Sequence, residues 1–358
     1  MAAKEEKTNP FTQETGVIHL GGIDAIVRLT LDQVRTDARR GLKTGMFVSG
    51  YRGSPVGMLD AALIRQQKLL LEKHIHFVDG INEDLAATAV WGTQMLHTVG
   101  GQKFDGVTGL WYGKAPGVDR SGDALKHANY TGIGKNGGVL AVVGDDPSCK
   151  SSSLASQSEP MLFHVGMPSL YPGNVQEILD LGLHGYNMSR LSGLWVGMKI
   201  VTNVADGTGT ANIDPSRLNF VTPDLMFDGQ KFTPNMNLGM NVRAEALEME
   251  QSLYTRRLEV AKRYARENKL NNVVFPNPNA WLGIMTAGKT YNDLQQAFLE
   301  MGLDADALRR YGIRVLKMGM LFPMEPTIVR EFAEGLEEIF VIEEKRPFLE
   351  MFAKQVLY

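Results

Sequence analysis

The chain has 358 residues, enough for two or three domains. A net charge of −3 and a pI near 6.2 argue against nucleic acid or an anionic membrane as the main partner, and no apolar run approaches the roughly 20 residues that span a bilayer. A single cysteine, Cys149, excludes a disulfide framework, a cysteine-based zinc site and an iron–sulfur cluster held by this chain. The polar N-terminus lacks the apolar core of an export signal, so we expect a cytoplasmic protein.

Strands and helices are predicted to alternate along most of the chain. Residues 1–15 are expected to form a flexible leader. Over residues 16–212, short apolar runs that end in glycine alternate with amphipathic stretches, which is typical of βαβ units and predicts a parallel sheet. Residues 213–270 are expected to be a connector with a long charged helix over 241–268, and residues 271–358 a second α/β unit. The predicted fold class is therefore α/β.

A helix rich in alanine and glycine follows the strand that ends near Val78. Asn82 is a good N-cap for this helix, and Glu83 lies in its first turn, where an acid complements the helix dipole. From the local pattern alone, that dipole role is the default for Glu83. Glu83 also lies where a parallel sheet presents its strand ends to a ligand, so a functional role stays open.

The loops after the predicted strands are the best place to look for a site, because parallel strands present their carboxyl ends at one edge. The four candidate loops are 50–57, 80–83, 112–123 and 144–158. The segment 113–123 is predicted to be irregular throughout, and 17–20 is predicted to be the first strand of the parallel unit. The G-x-G-x-x-G match at 132–137 follows a predicted helix and precedes a strand, the reverse of a dinucleotide site.

Several segments, in order and spacing, resemble those of indolepyruvate ferredoxin oxidoreductases, and most closely the long fused form found in proteobacteria. These segments are Gly50-Tyr51-Arg52-Gly53-Ser54-Pro55, Asn82-Glu83 with Gly92, Trp111-Tyr112-Gly113-Lys114-Ala115-Pro116-Gly117-Val118-Asp119-Arg120, Gly144-Asp145-Asp146-Pro147, Gly283-Ile284-Met285-Thr286-Ala287-Gly288 and Val341-Ile342-Glu343-Glu344. The resemblance implies a thiamine diphosphate pyrimidine-binding domain over 16–212 and a transketolase-C-terminal-like domain over 271–358.

The resemblance also implies a reaction: oxidative decarboxylation of a 2-oxoacid, indolepyruvate or another arylpyruvate, to an acyl-coenzyme A, with electrons passed to ferredoxin. Glu83 matches the catalytic glutamate that hydrogen-bonds N1′ of the cofactor's aminopyrimidine. A carboxyl that donates this bond at neutral pH needs an apolar setting, which the alanine-rich helix would supply. Asn82 and Gly50 are expected beside the same cofactor.

Five residues are expected on the substrate side. Gly53, Ser54 and Pro55 are implied there by the resemblance. Arg52 stands where the family has proline, and it could bind the substrate carboxylate directly. Lys114 is a further candidate for substrate binding from its loop.

Some parts of such an enzyme are missing from the sequence. There is no G-D-G…N segment for the diphosphate and its Mg²⁺, and no cysteine set for iron–sulfur clusters, so both are expected on another domain or subunit and no metal site is assigned here. We therefore expect the N-terminal part of a larger enzyme, inactive alone, in a homodimer.

Two alternatives stay open: an oxidoreductase for pyruvate or branched-chain oxoacids, and a non-catalytic α/β interaction subunit. An indole would need a wide apolar cavity, for which Trp91, Trp111 and Met95 are candidates.

Overall fold

A computed structural model describes residues 9–358, so residues 1–8 of the predicted leader lie outside the described part. Residues 9–15 pack against the first helix. Phe11 is buried, and its carbonyl oxygen accepts a hydrogen bond from Arg35 at 2.7 Å, while Arg28 donates to the carbonyl of Pro10. These contacts fix residues that the sequence suggested would be free.

The secondary structure falls into two stretches. Up to residue 212 the elements are β1 (Val17–Gly21), α1 (Gly22–Arg39), β2 (Thr44–Gly50), α2 (Leu59–Arg65), α3 (Gln67–Glu72), β3 (Ile75–Phe77), α4 (Glu83–Gln94), α5 (Leu96–Val99), β4 (Gly106–Lys114), α6 (Ala115–Arg120), α7 (Gly122–Thr131), β5 (Val139–Asp145), α8 (Glu159–His164), β6 (Ser169–Leu170), α9 (Val175–Ser192), β7 (Trp195–Val201), α10 (Thr202–Ala205) and β8 (Thr208–Asn212). Beyond it they are a 3₁₀ turn (Pro215–Arg217), β9 (Met226–Phe227), β10 (Gln230–Lys231), α11 (Arg243–Ser252), a π-helical turn (Leu253–Arg257), α12 (Leu258–Glu267), β11 (Asn271–Phe275), β12 (Leu282–Ala287), α13 (Gly288–Glu300), α14 (Ala305–Arg310), β13 (Ile313–Met318), β14 (Met320–Phe322), α15 (Pro326–Ala333), β15 (Glu338–Ile342) and α16 (Leu349–Leu357).

A seven-stranded sheet forms the larger layer, in the order β14-β6-β7-β5-β4-β2-β3. All of its neighbouring strands pair in parallel except β14, which pairs antiparallel with β6. The predicted parallel α/β sheet is therefore confirmed, with one edge strand supplied by the C-terminal part of the chain. β5 and β7 are buried along their whole length. The apolar run of β5 up to Gly144 indicates this burial, whereas β7 carries the charged Lys199 within it.

Helices cover both faces of this sheet. Adjacent strand residues alternate between the faces, so Leu140 joins the core under α1 and α9, whereas Ala141 joins the core under α4, α6 and α7. The second core includes Ala86 and Ala87 of α4, whose small side chains let that helix lie close to the sheet. The first turn of α4 is thereby held at the carboxyl ends of β2 and β4.

A four-stranded sheet, ordered β11-β13-β12-β15, forms the smaller layer. β12 pairs in parallel with β13 and β15, and β11 pairs antiparallel with β13. The predicted second α/β unit is present, although the sequence pattern did not reveal β11, β14 or α14. No helix within residues 9–358 is long and apolar enough to cross a membrane.

Two predictions of local structure are wrong, and a third is confirmed with one irregularity. β1 pairs antiparallel with β8 in a separate ribbon, as its alternating burial allows, and does not join the parallel sheet. The predicted loop over 113–123 holds the end of β4, all of α6 and the start of α7, because proline in the first turn of α6 is compatible with a helix start despite the surrounding glycines. The predicted helix over 241–268 is confirmed as a continuous helical run from Arg243 to Glu267, which contains one π-helical turn where Arg257 donates to the carbonyl of Asn129 at 2.7 Å.

Candidate active site

The carboxyl ends of β2, β3, β4 and β5 lie at one edge of the larger sheet. Beside β2, the Gly80 amide donates to the Gly50 carbonyl at 3.0 Å. A Cβ atom at Gly80 would lie 2.7 Å from Cβ of Ala86 and 2.8 Å from the Gly50 oxygen. Glycine at this position therefore allows the strand end and the first turns of α4 to approach each other.

Asn82 caps α4, as the sequence predicted. Its extended backbone precedes the helix, and its side-chain oxygen accepts a hydrogen bond from the Leu85 amide at 2.8 Å. The cap fixes where α4 begins. Glu83 is thus the first helical residue and points from a defined position at the strand edge.

The Glu83 side chain lies in a cradle made by the end of β4 and by helix α6. Glu83 is 6% exposed, and its backbone oxygen accepts a 2.9 Å hydrogen bond from Nε1 of the fully buried Trp111. A Cβ at Gly113 would lie 3.3 Å from Glu83 Cγ, and one at Gly117 would lie 2.5 Å from the same atom. Within residues 9–358, no hydrogen bond or ion pair engages the Glu83 carboxylate, and its oxygens keep some contact with solvent, so a ligand can reach them.

Two of the predicted substrate-side residues contact neighbouring strand ends. A Cβ at Gly53 would lie 2.7 Å from Cδ of Lys114, so the loop after β2 packs on the end of β4. A Cβ at Gly144 would lie 2.9 Å from Cδ of Pro55, so the same loop also packs on the end of β5. These contacts bring Gly53, Pro55 and Lys114 close together, as expected where the loops after parallel strands converge.

Arg52 and Ser54 are placed differently. The Arg52 side chain is 69% exposed, and its Nε lies 3.6 Å from a carboxylate oxygen of Asp60. The Ser54 hydroxyl contacts that of Ser151, and the Ser54 carbonyl accepts a hydrogen bond from Ser152 at 3.2 Å. Ser54 is therefore held by the loop after β5, whereas Arg52 faces solvent beside the edge.

A buried charge cluster next to this edge was not anticipated from the sequence. Lys199 Nζ lies 2.6 Å from Glu159, 3.1 Å from Glu344 and 3.9 Å from Asp145. Because Glu344 follows β15, the cluster joins the smaller α/β unit to the larger sheet. Its members are far apart in sequence, so no local signal marked it.

Burial and the charges of neighbouring groups both shift the pKa values in this cluster. Burial raises the pKa of Asp145 to about 7, and Lys199 opposes that rise while Glu159 adds to it. Burial alone would lower the pKa of Lys199, but its neighbours, led by Glu159, outweigh burial and hold the pKa well above the usual value. Oδ2 of Asp145 accepts from the Ser158 amide and hydroxyl at 3.0 Å each, whereas its buried Oδ1 has no partner in residues 9–358.

Of the residues suggested for an indole cavity, Trp111 is fully buried, whereas Trp91 and Met95 are partly exposed. Trp111 is fully buried in the core, so the prediction that it lines an open cavity is wrong. Trp91 donates to the Thr131 hydroxyl at 2.9 Å.

Glu83 lines none of the five cavities described, of which one of about 630 Å³ lies beside the β9–β10 hairpin. Residues 9–358 contain no group of three or more histidine, cysteine or acidic side chains arranged to hold a metal ion.

The architecture matches that of a known class of enzymes. The structure of the 2-oxoglutarate:ferredoxin oxidoreductase of Magnetococcus marinus, solved with 2-oxoglutarate, coenzyme A and succinyl-CoA bound, superposes with a TM-score of 0.66. The match covers 96% of this chain and 65% of that one, at 15% sequence identity. The fold is therefore that of 2-oxoacid:ferredoxin oxidoreductases.

Sequence comparisons show similarity to one group of these enzymes. Residues 271–358 match the family model of the indolepyruvate ferredoxin oxidoreductase middle domain. Indolepyruvate oxidoreductase subunit IorA of Methanothermobacter marburgensis is 27% identical over 320 residues, which are 89% of this chain and 46% of that protein. Subunit IorA of Pyrococcus horikoshii is 24% identical over 239 residues, 66% of this chain and 35% of that protein. The chain is therefore similar to indolepyruvate oxidoreductase subunits over most of its own length, and it spans less than half the length of these relatives.

Proposed function

We propose that this chain is the pyrimidine-binding part of a thiamine diphosphate-dependent 2-oxoacid ferredoxin oxidoreductase. The proposed substrate is indolepyruvate or another arylpyruvate, the products are an acyl-coenzyme A and CO₂, and ferredoxin takes the electrons. The observation that carries the proposal is the position of Glu83 at the strand edge: the residue is only 6% exposed, and no side chain or backbone group in residues 9–358 pairs with its carboxyl, whose oxygens keep some contact with solvent. A carboxyl that is largely desolvated but open on one side is well placed to form a hydrogen bond with a bound ligand.

The residues around Glu83 fit the aminopyrimidine ring of the cofactor. Thiamine diphosphate, when bound, supplies the nucleophilic carbon that attacks the 2-oxoacid carbonyl. Glu83 would hold a proton on its carboxyl and donate it to the ring nitrogen N1′. The backbone of Gly113 and Gly117 packs against the side chain from one side, so the carboxyl keeps a single orientation and water is excluded from that side.

The substrate would lie beside the loop after β2. Lys114 and Arg52 bring positive charge to this region, and Ser54 offers a hydroxyl. A cation at the end of a strand, a second cation on an exposed loop side chain and a nearby hydroxyl suit a 2-oxoacid carboxylate. Within this proposal Gly53 and Pro55 shape the loop, because both pack against other strand ends.

The remaining chemistry would come from elsewhere in the assembly. A single cysteine cannot hold the iron–sulfur clusters that carry electrons to ferredoxin. The IorA relatives are named as subunits and are more than twice as long as the matched region. We therefore assign the diphosphate, its Mg²⁺ and the clusters to other domains or subunits, and propose a homodimer in the cytoplasm.

One observation favours a second candidate, a non-catalytic interaction subunit. Glu83 lines none of the described cavities. A cofactor shared between two domains would, however, leave only an open half-site on this chain. The two candidates differ in whether the assembled protein needs thiamine diphosphate.

The test uses the full-length gene product with its partner subunits. Reduction of ferredoxin would be followed with indolepyruvate, phenylpyruvate, pyruvate and 2-oxoglutarate, each with and without coenzyme A and thiamine diphosphate. We expect an arylpyruvate to give the highest kcat/KM and activity to vanish without thiamine diphosphate. A preference for pyruvate or a branched-chain oxoacid would redirect the substrate assignment, and inactivity on every oxoacid would favour the interaction subunit.

A further inference from the structure

Asp146, at the end of β5, folds the loop that follows it. Its Oδ1 accepts from the Lys150 amide at 2.9 Å, and its Oδ2 accepts from the Ser151 and Ser152 amides at 2.8 Å each. Burial alone would raise the pKa of Asp146, but these backbone donors outweigh it and lower the pKa to about 2. The carboxylate is therefore charged at any physiological pH, and it wraps three successive amides around itself.

The turn made in this way reaches across to the loop after β2. The Ser151 hydroxyl contacts the Ser54 hydroxyl, and the Ser152 hydroxyl donates to the Ser54 carbonyl at 3.2 Å. The contacts fix both the side chain and the backbone of Ser54. The neighbouring Pro55 is held separately by β5, since a Cβ at Gly144 would lie 2.9 Å from its Cδ.

We propose that Asp146 is a positioning residue that sets the geometry of the Ser54–Pro55 segment for the 2-oxoacid substrate. The inference rests on the proposed function, because it assumes that Ser54 faces the substrate. Asp146 acts through the serine turn and does not itself touch the substrate. Its role is preorganisation: an already ordered Ser54 loses little freedom when the substrate binds.

The kinetic test compares variants of the full-length enzyme. Asp146→Ala removes the anchor of the turn, and the double variant Ser151→Ala/Ser152→Ala removes only the hydroxyls that reach Ser54. We expect both to raise KM for the preferred 2-oxoacid on the order of tenfold and to change kcat by less than about threefold. The control is Ser153→Ala, an exposed serine of the same loop, which should leave KM unchanged. Asp146→Glu should restore part of the lost affinity.

Amide hydrogen exchange gives a second readout that does not depend on activity. In Asp146→Ala and in the double serine variant, protection of residues 50–57 should fall on the order of tenfold, whereas Ser153→Ala should match the wild type. Unchanged KM and unchanged protection in both variants would overturn the proposal. Lost protection without any change in KM would also overturn the substrate role. An inactive wild type would refute the proposed function and with it the substrate role, while the exchange data would still report whether Asp146 orders Ser54.

Discussion

Gly117 lies directly against the side chain of Glu83. A Cβ atom at position 117 would lie 2.5 Å from Cγ and 2.7 Å from Oε1 of Glu83, distances that real Cβ contacts essentially never show. Helix α6 can therefore approach the carboxyl only because this residue is glycine. The orientation of Glu83 depends on a residue 34 positions later in the chain.

Alanine at Gly117 should disturb the site more than the fold. Because the new methyl group pushes the Glu83 carboxyl away, we expect Gly117→Ala to lower kcat/KM of the assembled enzyme on the order of a hundredfold. The control is Gly209→Ala in β8, where the nearest atom to the new Cβ would be 3.5 Å away, an ordinary contact. Steady-state kinetics on both variants check the prediction, and equal activities would contradict it.

The Trp111 hydrogen bond should stabilise the first turn of α4. Trp111→Phe leaves the Glu83 carbonyl without its donor, and we expect a loss of about 1–3 kcal/mol in the free energy of unfolding. Trp281 offers a matched control, since its Nε1 donates to the Tyr311 carbonyl at 2.8 Å but the residue is 45% exposed. Urea denaturation should show a clearly smaller loss for Trp281→Phe, because water can replace that bond; a larger loss there would argue against the role of Trp111.

Asp145 should make stability depend on pH. Because burial raises its folded pKa to about 7 from the usual 3.8, the folded chain keeps a proton that the unfolded chain has released. The free energy of unfolding should then fall as the pH rises from about 4 to 7. In Asp145→Asn the change in Tm between pH 5 and pH 8 should be several degrees smaller than in the wild type. If Tm changed equally with pH in the wild type and in Asp145→Asn, the raised pKa of Asp145 would be disproved.

Lys199 should be essential to the buried cluster. Lys199→Met leaves Glu159, Glu344 and Asp145 without their shared cation, and we expect a loss of about 3–5 kcal/mol in the free energy of unfolding. Lys354 pairs with Glu350 at the surface, where the lysine side chain is 70% exposed, so Lys354→Met should cost less than about 1 kcal/mol. Chemical denaturation of the two variants measures the difference. Similar losses in the free energy of unfolding would show that the buried cluster stabilises the fold no more than a surface ion pair does.

The parallel sheet was predictable because its signal is local. The apolar run of β5 and the glycine turns at the strand ends indicate buried parallel strands without knowledge of any contact. The N-cap of α4 followed from Asn82 in the same way. The position of β1 did not, because pairing with β8 joins residues almost 200 positions apart and nothing local selects the partner.

The surroundings of Glu83 could be predicted only in part. The sequence suggested that Glu83 lies at the strand edge and that loops converge there, but glycine at 117 looked like turn punctuation. Its function, to leave room for a side chain from α4, follows only from the tertiary contact. The same is true of Asp145 and Lys199, which come from different strands and show their common role only when folded.

The central claim, that Glu83 acts on the cofactor, is tested most directly by Glu83→Gln in the full-length enzyme. The glutamine keeps the size of the side chain but cannot supply the same proton, so kcat should fall about a hundredfold or more. Asp84→Asn, the neighbouring acid in the same helical turn, is the control and should stay within about twofold of the wild type if helix-dipole effects are minor. A Glu83→Gln enzyme as active as the wild type would contradict the account and leave Glu83 as an acid that only complements the helix dipole.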